Sequence, residues 1–343
     1  MPDEPTPARR RVLFVVGSSR SGASALAGAL QALGMHVPPP EVEHDPARPA
    51  VKGESQWVVD LHTALLERCH VQVSDARPKA WFRTGKVNTN EETRAELHAW
   101  LSHQLQEHDE LVVKDPQLTW FLGLWRSAAM RCDAAPTYVT VLRPVTELLG
   151  GHRGHDDQQA RDLSRTAGWI NTSLHAERAT RGSARAFVRY ADLVADWTRP
   201  VYAIGERFGL DAIRKAHTND LRKVHQFVDP SLHHVQLTWD DVQVPARLRE
   251  LAQESWVHLD RLADPDGDTP AVQATLDELR VAYGEFYEEA EAITASSSEA
   301  AFRIGLEQGH EEAAGGEHRT PHWMRAMVPP AARRGVKRAL GRD

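Results

Sequence analysis

The chain has 343 residues, 41% hydrophobic and 26% charged, with a net charge of −7. This is the composition of a globular protein of one large or two small domains, and it excludes wholesale disorder. Cys69 and Cys132 are the only cysteines, which excludes a disulfide framework and a cysteine zinc site, and the acidic body argues against nucleic acid as a partner.

Residues 1–10 hold three prolines and read as a flexible arm. The apolar run Val12 to Val16 is too short for a signal peptide core or a membrane span, so a reducing, cytoplasmic location is expected. Bounded by Gly17 and Ser18, this run reads as a strand buried on both faces. Leu26, Leu30 and Leu33 then fall at helical spacing, with Gly34 as the stop. Pro38-Pro39-Pro40 opens an irregular stretch to about Gly53, and Trp57 to Cys69 is helical again.

Further strands are expected at Leu111 to Val113, Tyr138 to Leu142 and Phe187 to Tyr190, the last after a helix around Trp169 to Arg178. Beyond Leu210 the pattern is mainly helical, with Val244 to Leu262 and Val272 to Ile293 as long amphipathic segments. Residues 294–318, rich in acids and poor in large apolar groups, read as a flexible linker. The tail 319–343 carries +6 against −13 for the rest, and its mixed basic and apolar residues suit an anionic membrane surface or a partner protein.

Strands alternating with helices predict an α/β fold, a doubly wound parallel sheet flanked by helices over residues 11–293, with a mostly helical C-terminal part. Ligands of such sheets collect beyond the carboxyl ends of the strands. Three of the expected strands end there in polar residues: Ser18 to Ser24, Lys114-Asp115 and Arg143.

Gly17 and Gly22 have the separation of a nucleotide phosphate loop, but Ala23 stands where that loop carries its lysine. Nucleotide-dependent phosphoryl transfer would lose its main cation, so a phosphotransferase is the weaker alternative. A turn leading into a helix N-terminus still attracts an anion through its N–H groups, and Arg20 adds a charge from the turn itself.

Arg20-Ser21-Gly22-Ala23-Ser24 resembles the 5′-phosphosulfate loop of the PAPS-dependent sulfotransferases, [KR]-[ST]-G-[TS]-[TS], apart from Ala23; PAPS is 3′-phosphoadenosine-5′-phosphosulfate. Arg143-Pro144 is similar to their Arg-x-Pro motif for the 3′-phosphate, without the intervening residue and with Gly151 at the position of its serine. Lys114-Asp115-Pro116-Gln117 resembles the Lys-Asp-Pro-Arg segment of bacterial members, and Arg189-Tyr190-Ala191-Asp192-Leu193 their Arg-Tyr-Glu-Asp-Leu strand. The resemblance runs over roughly residues 11–290 and implies a P-loop-like fold with PAPS as co-substrate.

It also implies roles. Ser19, Arg20, Ser21, Gly22, Ala23 and Ser24 would hold the 5′-phosphosulfate, Arg143 and Gly151 would lie at the 3′-phosphate, and Lys114 would reach the transferring group. The base would be a histidine or glutamate after the first helix, either Glu54, which follows Lys52-Gly53, or His62. Sulfuryl transfer to a hydroxyl or amine of a small metabolite, lipid or glycan is the implied activity, with no metal. The missing 3′-phosphate serine removes a charge-assisted hydrogen bond worth about 1.5–3 kcal/mol, and Ala23 removes a hydroxyl, so a non-catalytic nucleotide-binding relative is the main competing reading. His152, His155, Asp156 and Asp157 read as a surface loop, and acceptor choice is expected from residues 36–56 and 70–95.

Overall fold

The structure, a computed structural model, describes residues 10–43, 53–149, 158–228 and 238–314. Its centre is a parallel sheet of β1 (Arg11–Val16), β2 (Glu110–Lys114), β3 (Ala135–Leu142) and β4 (Ala184–Arg189), in the order β2-β1-β3-β4. Leu13 sits beside Val112 on one side and Thr137 on the other, so β1 is central. The connection after β1 runs to one side and that after β2 returns to the other. The crevice at β1 and β3 is therefore the topological switch point.

The continuous apolar run of β1 has two buried faces because each feeds a separate core. Val12, Phe14 and Val16 join one cluster with Leu65, Leu97, Leu101 and Trp125, whereas Leu13 and Val15 join another with Leu26, Leu30, Val201 and Ile204. The first cluster is covered by α2 (Gln56–Cys69), α4 (Glu91–Glu107) and α5 (Leu122–Arg131). The second is covered by α1 (Ala23–Ala32) and, after the short α8 (Tyr190–Ala195), by α9 (Thr198–Phe208). This is the expected doubly wound α/β architecture.

Two expectations are corrected at element ends. β4 stops at Arg189, and Tyr190 opens α8 instead of closing the strand. The 70–95 segment is not all loop, since α3 (Ala80–Asn88) lies inside it and α4 begins at Glu91. Gly85, Thr84 and Val87 give α3 a weak intrinsic helix signal, and it is held by packing of its buried Ala80 and Thr84. In α4 the leucines at 97, 101 and 105 fall on one face, and the Asn90 side chain accepts the Thr93 N–H at 2.9 Å as an N-cap.

The C-terminal part contains α12 (Ala246–Arg261) and α13 (Pro270–Ala314), reached through α6 (Val145–Leu149), α7 (Gln158–Thr180), α10 (Asp211–Arg214) and α11 (Thr218–Phe227) earlier in the chain. Residues 294–314, expected as linker, are helical, because alanine and glutamate favour helix whether or not there is a core to pack on. The chain divides into compact units at residues 1–285 and 286–343. No described helix is long and apolar enough to cross a membrane.

Phe14, fully buried, stacks on Tyr138 at 5.2 Å and meets the edge of Trp125 at 5.7 Å. Phe14→Ala is expected to lower the unfolding free energy by about 3–5 kcal/mol, read from the urea midpoint at unchanged slope. A loss below about 1 kcal/mol would show that this ring is not central to the core.

Candidate functional site

The loop from β1 to α1 closes with the Ser21 N–H donating to the Ser18 carbonyl at 3.0 Å. Arg20 then takes φ 67° and Gly22 φ 96°. The left-handed region costs a non-glycine residue about 1–2 kcal/mol, so Arg20 holds a strained place. At Gly22 a Cβ would lie 2.1 Å from the Tyr190 ring, and only glycine permits that approach. Gly22 is the N-cap of α1, its carbonyl accepting the Ala25 N–H at 2.9 Å and the Leu26 N–H at 3.3 Å, so in the first turn the Ala23 and Ser24 N–H groups are the ones with no acceptor within the helix.

Ser19 and Arg20 are exposed, and among the described residues the Arg20 side chain has no ion-pair partner. Ser21 is buried, and its Oγ is a buried polar atom without a hydrogen bond. Such orphans are uncommon in folded proteins and ask for an explanation. Ala23 contributes only backbone here, and Ser24 faces a neighbouring strand.

That neighbour is β2. Lys114, its last residue, is buried, donates from Nζ to Ser24 Oγ at 2.8 Å and pairs with the Glu54 carboxylate. Glu54 is brought there by two backbone devices. Its carbonyl accepts the Val42 N–H at 3.0 Å while the Pro40 carbonyl accepts the Gln56 N–H at 2.8 Å, pairing the chain on either side of it. Gly53, at φ 76°, lets that chain cross α1 where a Cβ would lie 2.6 Å from the Ala27 Cβ. Glu54, Lys114 and Ser24, distant in sequence, thus form one chain of contacts.

His62 has a different place from the one expected of a base. It is fully buried, and its Nε2 accepts the Trp125 indole N–H at 2.7 Å. Indole nitrogen only donates, so the proton of the neutral ring is on Nδ1, which donates to Asp115 Oδ2 at 2.5 Å. Both nitrogens are occupied within the core, and no acceptor atom faces a substrate. The histidine holds Asp115, whose other oxygen accepts the Gln117 N–H at 3.3 Å, and so fixes the turn in which β2 ends.

Arg143, just beyond β3, closes the site from the other side. Its Nη1 donates to the Arg20 carbonyl at 3.3 Å, and its guanidinium lies 4.3 Å over the Tyr190 ring. Its Nε also donates to Glu147 Oε2 at 3.0 Å, so a carboxylate one helical turn away already offsets its charge. Sequence reading did not register Glu147, although the i,i+4 spacing is the ordinary signal for such a pair. Gly151, Lys52, His152, His155, Asp156, Asp157 and the basic tail lie outside the described residues. Among the described residues, no group of three or more His, Cys, Asp or Glu side chains is placed to hold a metal ion.

Beside the loop is an open hollow of about 450 Å³, lined among others by Ser19, Ser74, Asp115, Gln117, Ser164 and Arg165. The two α7 residues carried no motif, and only the fold brings them to Ser19. A larger hollow of about 940 Å³ follows the edge of β4 and α9 and contains none of the loop residues. Its Arg185 and Arg189 are taken up in pairs with Asp268 and Asp260, a structural use.

No family model matches the chain, and no curated protein matches it. Among solved structures it is similar to a sulfotransferase domain from the olefin synthase of Synechococcus, at 18% identity and a TM-score of 0.38, over 74% of this chain and 96% of that one. It is also similar to a sulfotransferase domain from the curacin biosynthetic pathway, at 14% identity and 0.38, over 71% and 95%. A sulfotransferase from Mycobacterium tuberculosis follows at 18% and 0.36, over 72% and 76%.

The buried Lys114–Glu54 pair makes a stability prediction. Glu54→Gln leaves the ammonium without its counter-charge and is expected to cost about 3–5 kcal/mol in urea unfolding, whereas Glu54→Gln with Lys114→Met costs less than the single change. A double variant less stable than the single would show that the two groups are not coupled.

Proposed function

We propose that this chain is a sulfotransferase that moves a sulfuryl group from PAPS to a hydroxyl or amine of a small metabolite, lipid or glycan, releasing adenosine 3′,5′-bisphosphate. The observation that carries the reading is the convergence of Arg20, Lys114 and Arg143 from the ends of three adjacent parallel strands, with the Arg20 carbonyl bonded to Arg143. A donor with two phosphate positions asks for cations in two places, and this edge of the sheet supplies them.

The residues fit the donor. Arg20, the α1 N-terminus and the unpartnered Ser21 hydroxyl offer donors to a 5′-phosphosulfate. Ser19, Gly22, Ala23 and Ser24 contribute through the backbone or the edge of the same loop. Arg143 is the assigned cation for the 3′-phosphate. In the reaction the S–O bond to the donor phosphate breaks as one to the acceptor oxygen or nitrogen forms, and the acceptor proton passes to a base. Glu54 is the assigned base and Lys114 the cation for the transferring group or the departing phosphate. The mechanism asks for cations and a base and calls on no metal, and the cytoplasm is its proposed location.

A second reading has one observation in its favour. Glu147 offsets Arg143, which weakens the 3′-phosphate end and fits a relative that binds nucleotide without turnover. A phosphotransferase has less support, since Ala23 leaves the nucleotide loop without its lysine.

Adenosine 3′,5′-bisphosphate is expected to raise the melting temperature where ATP with magnesium does not; a shift by ATP alone would favour phosphoryl transfer. Radiolabelled sulfate from PAPS should reach members of a broad acceptor panel, and Arg20→Ala should lower transfer by about 100-fold or more. Bisphosphate binding without any transfer selects the non-catalytic reading. Glu147→Gln should tighten bisphosphate binding by about tenfold, and a weaker complex would contradict the assignment of Arg143.

A further inference from the structure

The hollow beside Ser19 is bounded by few charges. Of the residues that line it, Arg165 and Asp115 alone are ionisable. Asp115 is turned into the core, where its carboxylate oxygens accept from His62 and from the Gln117 N–H, and its side chain is 2% exposed. It therefore presents almost no negative charge to the opening. Arg165 is half-buried and, among the described residues, has neither an ion-pair nor a hydrogen-bond partner. The rest of the polar lining is neutral, including Ser19, Ser74, Gln117 and Ser164.

A half-buried guanidinium with no counter-charge among the described residues, in a wall of neutral hydrogen-bonding groups, is a receptor for a carboxylate, phosphate or sulfate. The hollow shares Ser19 with the loop after β1 and Asp115 with the turn after Lys114, so on the sulfotransferase reading its occupant would lie beside the donor loop. Resting on the sulfotransferase reading above, we propose that this hollow receives the acceptor and that the acceptor carries an anionic group of its own, bound by Arg165. Arg165 is a specificity residue in this assignment and takes no part in the donor site.

Calorimetric titrations of protein saturated with adenosine 3′,5′-bisphosphate test it with matched probes: para-hydroxybenzoate against para-cresol, glucuronate against glucose, and hydroxydecanoate against decanol. In at least one pair the charged member should bind about tenfold tighter, Arg165→Gln should erase that preference, and the bisphosphate affinity should stay within about twofold. The proposal is overturned if no pair shows a preference, or if the preference survives in the variant. It is also overturned if Arg165→Gln weakens the bisphosphate itself by about tenfold, which would place the arginine at the donor. Bisphosphate that binds while every pair fails removes this proposal alone; bisphosphate that fails to bind wild-type protein removes the donor reading as well.

Discussion

A lysine ammonium buried at the end of β2, between a serine hydroxyl on α1 and a glutamate carboxylate, is the contact on which the site depends. Burying two charges is costly, and a well-packed apolar pair would serve the fold equally well or better. On the proposed function, the pair places a cation and the assigned base together where the sheet opens. The supporting parts follow from it: Gly53 lets the chain cross α1, the Pro40–Gln56 and Val42–Glu54 bonds hold the carboxylate in place, and His62 with Asp115 fixes the turn beyond Lys114.

The other half of the site is organised around Tyr190. Its ring occupies the space left by the absent Gly22 side chain and carries the Arg143 guanidinium on its face. The β1 loop, the end of β3 and the start of α8 are thereby packed against each other. A cation held over an aromatic ring and bonded to a loop carbonyl loses little freedom on meeting a phosphate. Glu147 works against this by offering the same guanidinium a carboxylate.

Much of this was legible in the residues. β1 and the central part of β3 announce themselves as apolar runs because a strand covered on both faces needs no alternation, and the glycine-serine turn after β1 marks the passage into α1. Lys114 and Arg143 were visible because each directly follows such a run. What stayed hidden depends on distance in space. The Trp125 and Asp115 partners that remove His62 from solvent lie 63 and 53 residues away, and Arg165 comes to the same hollow as Ser19 only through the fold. The helical state of α3 and of residues 294–314 was missed for opposite reasons, the first because weak helix formers are held by packing, the second because strong helix formers need none.

The central claim is that cations at the ends of parallel strands grip both phosphates of one adenosine bisphosphate. It is tested most directly by titrating wild-type and Arg143→Ala protein with adenosine 3′,5′-bisphosphate and with adenosine 5′-monophosphate, which lacks the 3′-phosphate. The account predicts that wild type prefers the bisphosphate by about 10- to 100-fold and that Arg143→Ala binds the two nearly alike. Equal affinities in wild type, or a preference that outlasts the loss of Arg143, would contradict it.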